Sequence, residues 1–117
     1  MTFYNNCGMA LFYTDDNEHL FDYNGSPLGY IYENSVYNYN GNHIGWFDNG
    51  WINAPNGQYL FFNENANGGP MKPMKFIKPM KSMKYMKPMK SMREMRPMKP
   101  MRSLSWSSLD LQRFFRY

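Results

Sequence analysis

Lysine and arginine are absent from the first 70 residues of this 117-residue chain. That stretch carries seven acids (Asp15, Asp16, Glu18, Asp22, Glu33, Asp48 and Glu64), whereas residues 71–117 hold all 13 basic residues against Glu94 and Asp110. The formal charge therefore runs −7 and then +11. Such asymmetry points to a basic arm with an anionic partner, or to an arm that folds back on its own acidic domain. Cysteine is limited to Cys7, which excludes an internal disulfide, a thiolate metal cluster and the disulfide-stapled secreted class. No apolar run reaches the ~18 residues of a transmembrane segment. The start, "MTFYNNCGMALFY", lacks the basic and long apolar regions of a signal peptide, so a cytoplasmic setting is the default expectation. Aliphatic β-formers are scarce too, with Val36 the only valine.

What is present is repetition. Three segments align on their Asn-Gly pairs: "LFDYNGSPLGYIYEN" from 20, "VYNYNGNHIGWFDN" from 36 and "INAPNGQYLFFNEN" from 52. A fainter copy, "FYNNCGMALFYTDD", starts at 3, and the turn glycines Gly8, Gly25, Gly41 and Gly57 follow at spacings of 17, 16 and 16. Each unit reads as a β-hairpin. Asn24-Gly25, Asn40-Gly41 and Asn56-Gly57 suit type I′ turns, in which both central residues need positive φ. Further turn signals, "TDDNEH", "ENS" and "DNG", fall midway, predicting about eight short strands in a meander.

The core of such a domain is aromatic: 16 of the first 62 residues are Phe, Tyr or Trp. Rings bury about 150–250 Å² each, which helps a domain too small to be comfortably stable alone. Gly29 and Gly45 precede aromatics in two units and let a neighbouring ring lie on the backbone, whereas Phe12 and Phe61 hold that place in the outer units.

The repeated "[VL][YF][ND]YNG…[LI]G[YW]" at residues 20–30 and 36–46 resembles the bacterial four-fold β-flower family. The resemblance covers about residues 1–65 and implies a fold, four hairpins around a pseudo-fourfold axis, but no catalytic residues. Less specifically, the basic triplet run that ends in "RSLSWSS" resembles tails accompanying that domain.

A polar Gly-rich linker, residues 63–70, leads to a triplet run over 71–104. First positions are Met, apart from Ile77 and Leu104. Second positions are all basic: Lys72, Lys75, Lys78, Lys81, Lys84, Lys87, Lys90, Arg93, Arg96, Lys99 and Arg102. Third positions mix Pro, Ser, Phe76, Tyr85 and Glu94. Period three with internal prolines excludes a helix, and a strand would alternate the methionines between faces. Polyproline II, with three residues per turn and about 3.1 Å rise, instead gathers each class into a ridge along a rod of order 100 Å. Alone in water such an arm is expected to be disordered with a polyproline II bias. An apolar groove on the domain or on a second chain would capture its Met ridge.

Residues 105–117 suggest a short helix, with Ser107 and Asp110 as a capping box and Leu111, Phe114 and Phe115 as its apolar side. Docking on the domain is the favoured reading of this segment, ahead of membrane attachment.

Candidate chemistry is sparse, and no catalytic, cofactor or metal residues are assigned. His19 and His43 are the only histidines, and His43 follows a turn where exposure is expected. A Cys7–His pair would need an orienting third group and a pocket. Asp15, Asp16 and Glu18 read as a solvated acidic turn before they read as a cation site. Met thioethers favour Cu(I), but a cation beside every one opposes metal approach.

The fold expected is all-β: four sequential hairpin repeats around a pseudo-fourfold axis at residues 1–62, followed by an extended, polyproline-II-like basic tail. The function expected is a non-enzymatic binding or assembly module whose eleven cations contact an anionic partner, namely nucleic acid, an anionic membrane surface or an acidic protein. Two alternatives stand beside it. In one, the Met-ridged arm packs on the β domain or on other chains to fix a homo-oligomer. In the other, exposed Tyr and Trp rings bind carbohydrate.

Overall fold

The computed structural model describes residues 1–116. Eight strands follow in order: β1 (Thr2–Tyr4), β2 (Ala10–Tyr13), β3 (His19–Asp22), β4 (Pro27–Tyr32), β5 (Ser35–Tyr37), β6 (His43–Asp48), β7 (Trp51–Asn53) and β8 (Tyr59–Phe62). Each pairs antiparallel with the next, and β1 pairs with β8 through Tyr4 and Phe62. The meander thus closes into a barrel within one chain, and beside this one-pair seam Tyr59 of β8 bonds to Ser105 and Ser107, which cover the rest of its edge. The fold is the all-β, four-hairpin architecture expected.

Strand alternation divides the aromatics into two sets. Phe3, Leu20, Val36 and Ile52, at equivalent places in β1, β3, β5 and β7, are fully buried inside the barrel together with Phe12, Ile44 and Phe61. Tyr4, Tyr13, Phe21, Trp51 and Phe62 belong to a second cluster, and Tyr30, Tyr37 and Trp46 are buried beside them. A barrel this small has no second sheet to cover its outer rings. They are covered by the rest of the chain.

The Asn-Gly turns differ from the type I′ expectation. The non-glycine residues with positive φ among the described residues are Asn17, Glu33, Asn34 and Asn49, not Asn24, Asn40 or Asn56. Gly25 N–H donates to the Asp22 carbonyl at 3.1 Å with Gly25 at φ +90°, and the ladder register shifts between Leu20 and Phe21. That is a type I turn closed by a left-handed glycine. The reason lies in the residue before the turn, because Asp22 Oδ1 accepts from both Asn24 N–H and Ser26 N–H. Asn38 and Asn5 do the same in their units. The primed geometry occurs instead at the midway turns, where Glu33-Asn34 and Asn49-Gly50 are left-handed pairs.

The C-terminal helix α1 (Leu111–Phe115) plugs one end of the barrel. Its N-cap is Asp110, whose carboxylate accepts from Arg113 N–H at 2.8 Å. The Ser107 capping box is therefore corrected: Ser107 Oγ accepts from Leu109 N–H, ahead of the helix. Phe114 is fully buried against Gly45 and Phe61, and Phe115 meets Gly29 and Phe12. Two small and two large residues at one fourfold position make room for a plug that has no fourfold symmetry.

Residues 71–104 form neither helix nor strand and encircle the barrel. At the start Lys72 Nζ lies 5.8 Å from the Trp51 ring, and at the end Trp106 packs edge-on against the same ring at 5.5 Å. At an extended rise of about 3.1 Å, 34 residues span about 105 Å. The molecule is a disc 36 Å across and 22 Å thick, with a perimeter of about 110 Å, π times that diameter. One circuit is what the arm's length allows.

Candidate functional site: a closed basic girdle with an outward methionine edge

The girdle is held by notches that repeat every nine residues. Phe76, Tyr85, Glu94 and Ser103 N–H groups donate to the carbonyls of Gly8, Gly25, Gly41 and Gly57 at 2.9–3.4 Å. In each notch a Cβ on the glycine would collide with an arm carbonyl, that of Met74, Met83, Met92 or Met101. These glycines therefore satisfy the turn and also admit the arm. Between notches, Ser82 and Ser91 N–H donate to the carbonyls of Tyr23 and Tyr39. Pro73 and Pro100 stand at the equivalent places in the outer quarters, where no N–H is available. Three triplets thus match one 16-residue barrel unit. Sequence reading found the triplet but not the nine-residue period, which Pro79, Pro88 and Pro97 display.

Hydrogen bonding sets the rotational phase of the arm, and the phase turns the basic residues inward. Lys81 and Lys90 Nζ each lie 4.3 Å from the rings of Tyr13 and Tyr30, and Lys99 lies over Trp46 at 5.8 Å, three equivalent pairs nine and 16–17 residues apart. Lys75 lies over Tyr4, Lys84 over Phe21 and Arg93 over Tyr32 at 3.7 Å. Cations over ring faces are stabilised by the ring quadrupole.

The barrel's carboxylates supply the second contact. Asp15 bridges Lys84 at 2.6 Å and Lys81 at 3.1 Å, and Asp48 bridges Arg102 at 2.7 Å and Lys99 at 3.1 Å. Glu18 pairs with Lys90, Glu64 with Lys78 and Glu33 with Arg96. Hydrogen bonds from Lys84 and Lys81 hold the Asp15 carboxyl below its usual range, and Lys90 does so for Glu18. At Asp48, burial raises the pKa but is outweighed by Lys99 and Arg102, leaving it lowered. Burial opposes ionisation of Glu64 too, and hydrogen bonding from Thr2 N–H and Lys78 outweighs it, so that pKa is also lowered. Seven of the eleven arm cations thus sit in ion pairs. Among the described residues, Lys72, Lys75, Lys87 and Arg93 carry no carboxylate partner.

The Met ridge consequently faces water, which corrects the expectation that it seeks an apolar groove on the domain. The arm does pack on the barrel, but by its basic ridge. Its methionines are 88–94% exposed and Ile77 is 96% exposed. Reversing the arm would bury thioethers against the rings but leave the barrel's carboxylates without their cations.

The remaining candidates are dispersed. His43, expected at the surface, is buried between Tyr37 and Trp46, and its backbone N–H donates to Glu94. Burial lowers its pKa. His19 Nδ1 faces Asp16 at 2.8 Å, and exposed Cys7 Sγ donates to the Asn6 side-chain oxygen at 3.6 Å. The acidic turn stays solvent-exposed, and within it Asp15 and Glu18 also pair with arm lysines and Asp16 with His19. Rings proposed for sugar stacking lie mostly beneath the arm, with Tyr32 the barrel ring that remains exposed. Asn24, Asn40 and Asn56 sit at turn positions beneath which the arm's notches form. Among the described residues, no helix is long and apolar enough to cross a membrane.

Comparison with known proteins agrees with this geometry. No curated protein and no solved structure matches the chain. The family model described as 4-fold beta flower protein matches residues 1–115, through the barrel, the girdle and the plug. This chain belongs to the 4-fold beta flower family.

Proposed function

We propose that the chain is a non-enzymatic assembly module whose methionine edge docks on further copies of itself. The carrying observation is the exposure of the whole ridge, methionines at 88–94% in an unbroken band around the disc. Scattered exposed apolar residues are ordinary, but a contiguous band marks an interaction surface. A second copy suits it because seven of the eleven arm cations are paired with the barrel's own carboxylates, which reduces the repulsion between two edges. At about 9 Å between successive methionines of an extended triplet arm, each gap admits one methionine of a facing ridge. The thioether side chain is flexible enough to settle there. Sedimentation velocity over a concentration series, at low and high salt, tests this. The expected result is a mass that grows with concentration, survives high salt and collapses in a Met80→Ser, Met83→Ser, Met86→Ser, Met89→Ser chain. A monomer at every concentration sinks the reading.

A second reading, contact with an anionic partner, is supported by the four arm cations that lack a carboxylate. Nucleic acid, an anionic membrane surface or an acidic protein would meet those first and compete for the other seven. With an oligonucleotide duplex, four phosphate contacts give a log–log salt slope of about −3 to −4, whereas eleven give about −10. The shallower slope supports binding to the docked girdle, and the steeper one requires the arm to leave the barrel. A flat titration at low salt rejects the nucleic-acid form.

A further inference from the structure

We infer that the barrel's outer wall is a receptor for extended peptides bearing Lys or Arg at every third residue, and that the chain's own arm is its tethered ligand. Residues 71–104 contribute no pairing to the β1–β8 seam and no side chain to the inner core or the Phe114 plug. Its contacts are those of a ligand on the outer wall, namely backbone N–H groups to glycine carbonyls, cations on rings and cations on carboxylates. None of its first-position side chains is buried.

The wall is built to be read in steps. Three of the four quarters offer a glycine notch, a ring at the Tyr13, Tyr30 or Trp46 position, and an anionic or aromatic acceptor at the Asp15, Tyr32 or Asp48 position. A nine-residue ligand step meets the same three features in any of those three quarters. Recognition therefore depends on the spacing of the basic residues and on a residue with a free N–H in each notch, and it tolerates variation elsewhere. The arm of a second copy, which carries the same basic triplet run, satisfies those terms. This inference does not rest on the methionine edge, which points away from the wall.

The test vacates one quarter of the full-length chain. Lys81→Glu, Lys84→Glu and Lys90→Glu together oppose Asp15 and Glu18 while the Gly57 notch and the Phe114 plug stay in place. Loss of Tyr85 amide protection reports that the arm has lifted. A fluorescent peptide with the sequence of residues 77–94 is then titrated by anisotropy. The released chain should bind it, and the unaltered chain should bind at least about tenfold more weakly, because the tethered arm competes at high effective concentration. A peptide with Gln for every Lys and Arg should lose binding by about tenfold or more, as should Asp15→Asn with Glu18→Gln in the released chain. Should the triple Glu chain fail to fold, the triple Gln chain takes its place. A folded, released chain that ignores the peptide, or binds the Gln peptide equally well, overturns the inference. So does an arm that stays docked in both variants.

Discussion

Phe114 rests its ring on Gly45, so close that a Cβ there would lie 2.7 Å from the ring's Cζ. The same position in the first and last units holds Phe12 and Phe61, and Phe61 packs edge-on against Phe114 at 5.8 Å. Breaking the repeat at two of four units is what seats the plug. Gly45→Ala should therefore destabilise by about 1–3 kcal/mol through overpacking, and Phe114→Ala by about 3–5 kcal/mol through the cavity it leaves. Denaturant unfolding measures both. A neutral Gly45→Ala would mean that the plug can move aside.

The turn geometry makes adjacent residues unequal. Asn24 has an ordinary negative φ and Gly25 a φ of +90° against the Met83 carbonyl. Asn24→Ala is expected to cost no more than about 0.5 kcal/mol, the range of an ordinary surface change. Gly25→Ala should cost at least about 1–2 kcal/mol from the left-handed backbone alone, and should also free the Tyr85 amide by blocking the notch. Thermal unfolding with amide exchange separates the two effects. Equal costs at both positions would restore the primed turn.

Acid should loosen the girdle before the barrel. Asp15, Glu18, Asp48 and Glu64 all have folded-state pKa values lowered below their ordinary ones. The stability they lend is complete above the ordinary carboxylate range, about 4, and disappears as pH falls through the lowered values. Lys78 and Lys84 are raised, so their share persists through neutral pH and fades only as pH climbs past the lysine range. Exchange at Phe76, Tyr85, Glu94 and Ser103 should thus accelerate below about pH 4, after correction for the intrinsic rate, while Val36 in the barrel stays protected. Arm protection unchanged down to about pH 2 would show that the ion pairs do not hold it.

Tyr32 stands where neighbouring units place Asp15 and Asp48, and it takes Arg93 by its ring instead of by a carboxylate. Tyr32→Asp should therefore be tolerated, with Arg93 forming an ion pair, within about 0.5 kcal/mol of the parent. Arg93→Lys should weaken the stacked contact in the parent, because a planar guanidinium lies flat on the ring and an ammonium keeps only the cation–π attraction. In the Tyr32→Asp chain the same change should matter less, since a carboxylate accepts either cation. A double-mutant cycle read by thermal unfolding checks this. Full additivity would deny that residues 93 and 32 interact.

Much of this molecule could be read from the chain alone. Local signals repeat in register, so hairpin positions, strand content and an aromatic core follow from alternation and turn residues at 16–17-residue spacing. The three ridges of the arm likewise follow from period three. Which ridge faces inward did not, because a threefold rod is indifferent to its own rotation. That choice required the closed barrel, which alone brings Tyr13, Tyr30 and Trp46 and the carboxylates of Asp15, Glu18 and Asp48 into one wall. It also required the glycine notches, whose hydrogen bonds lock the arm's phase. Tertiary structure turned the charge inward and left sulfur at the edge, since ion pairs and ring faces act on lysine only at contact distance.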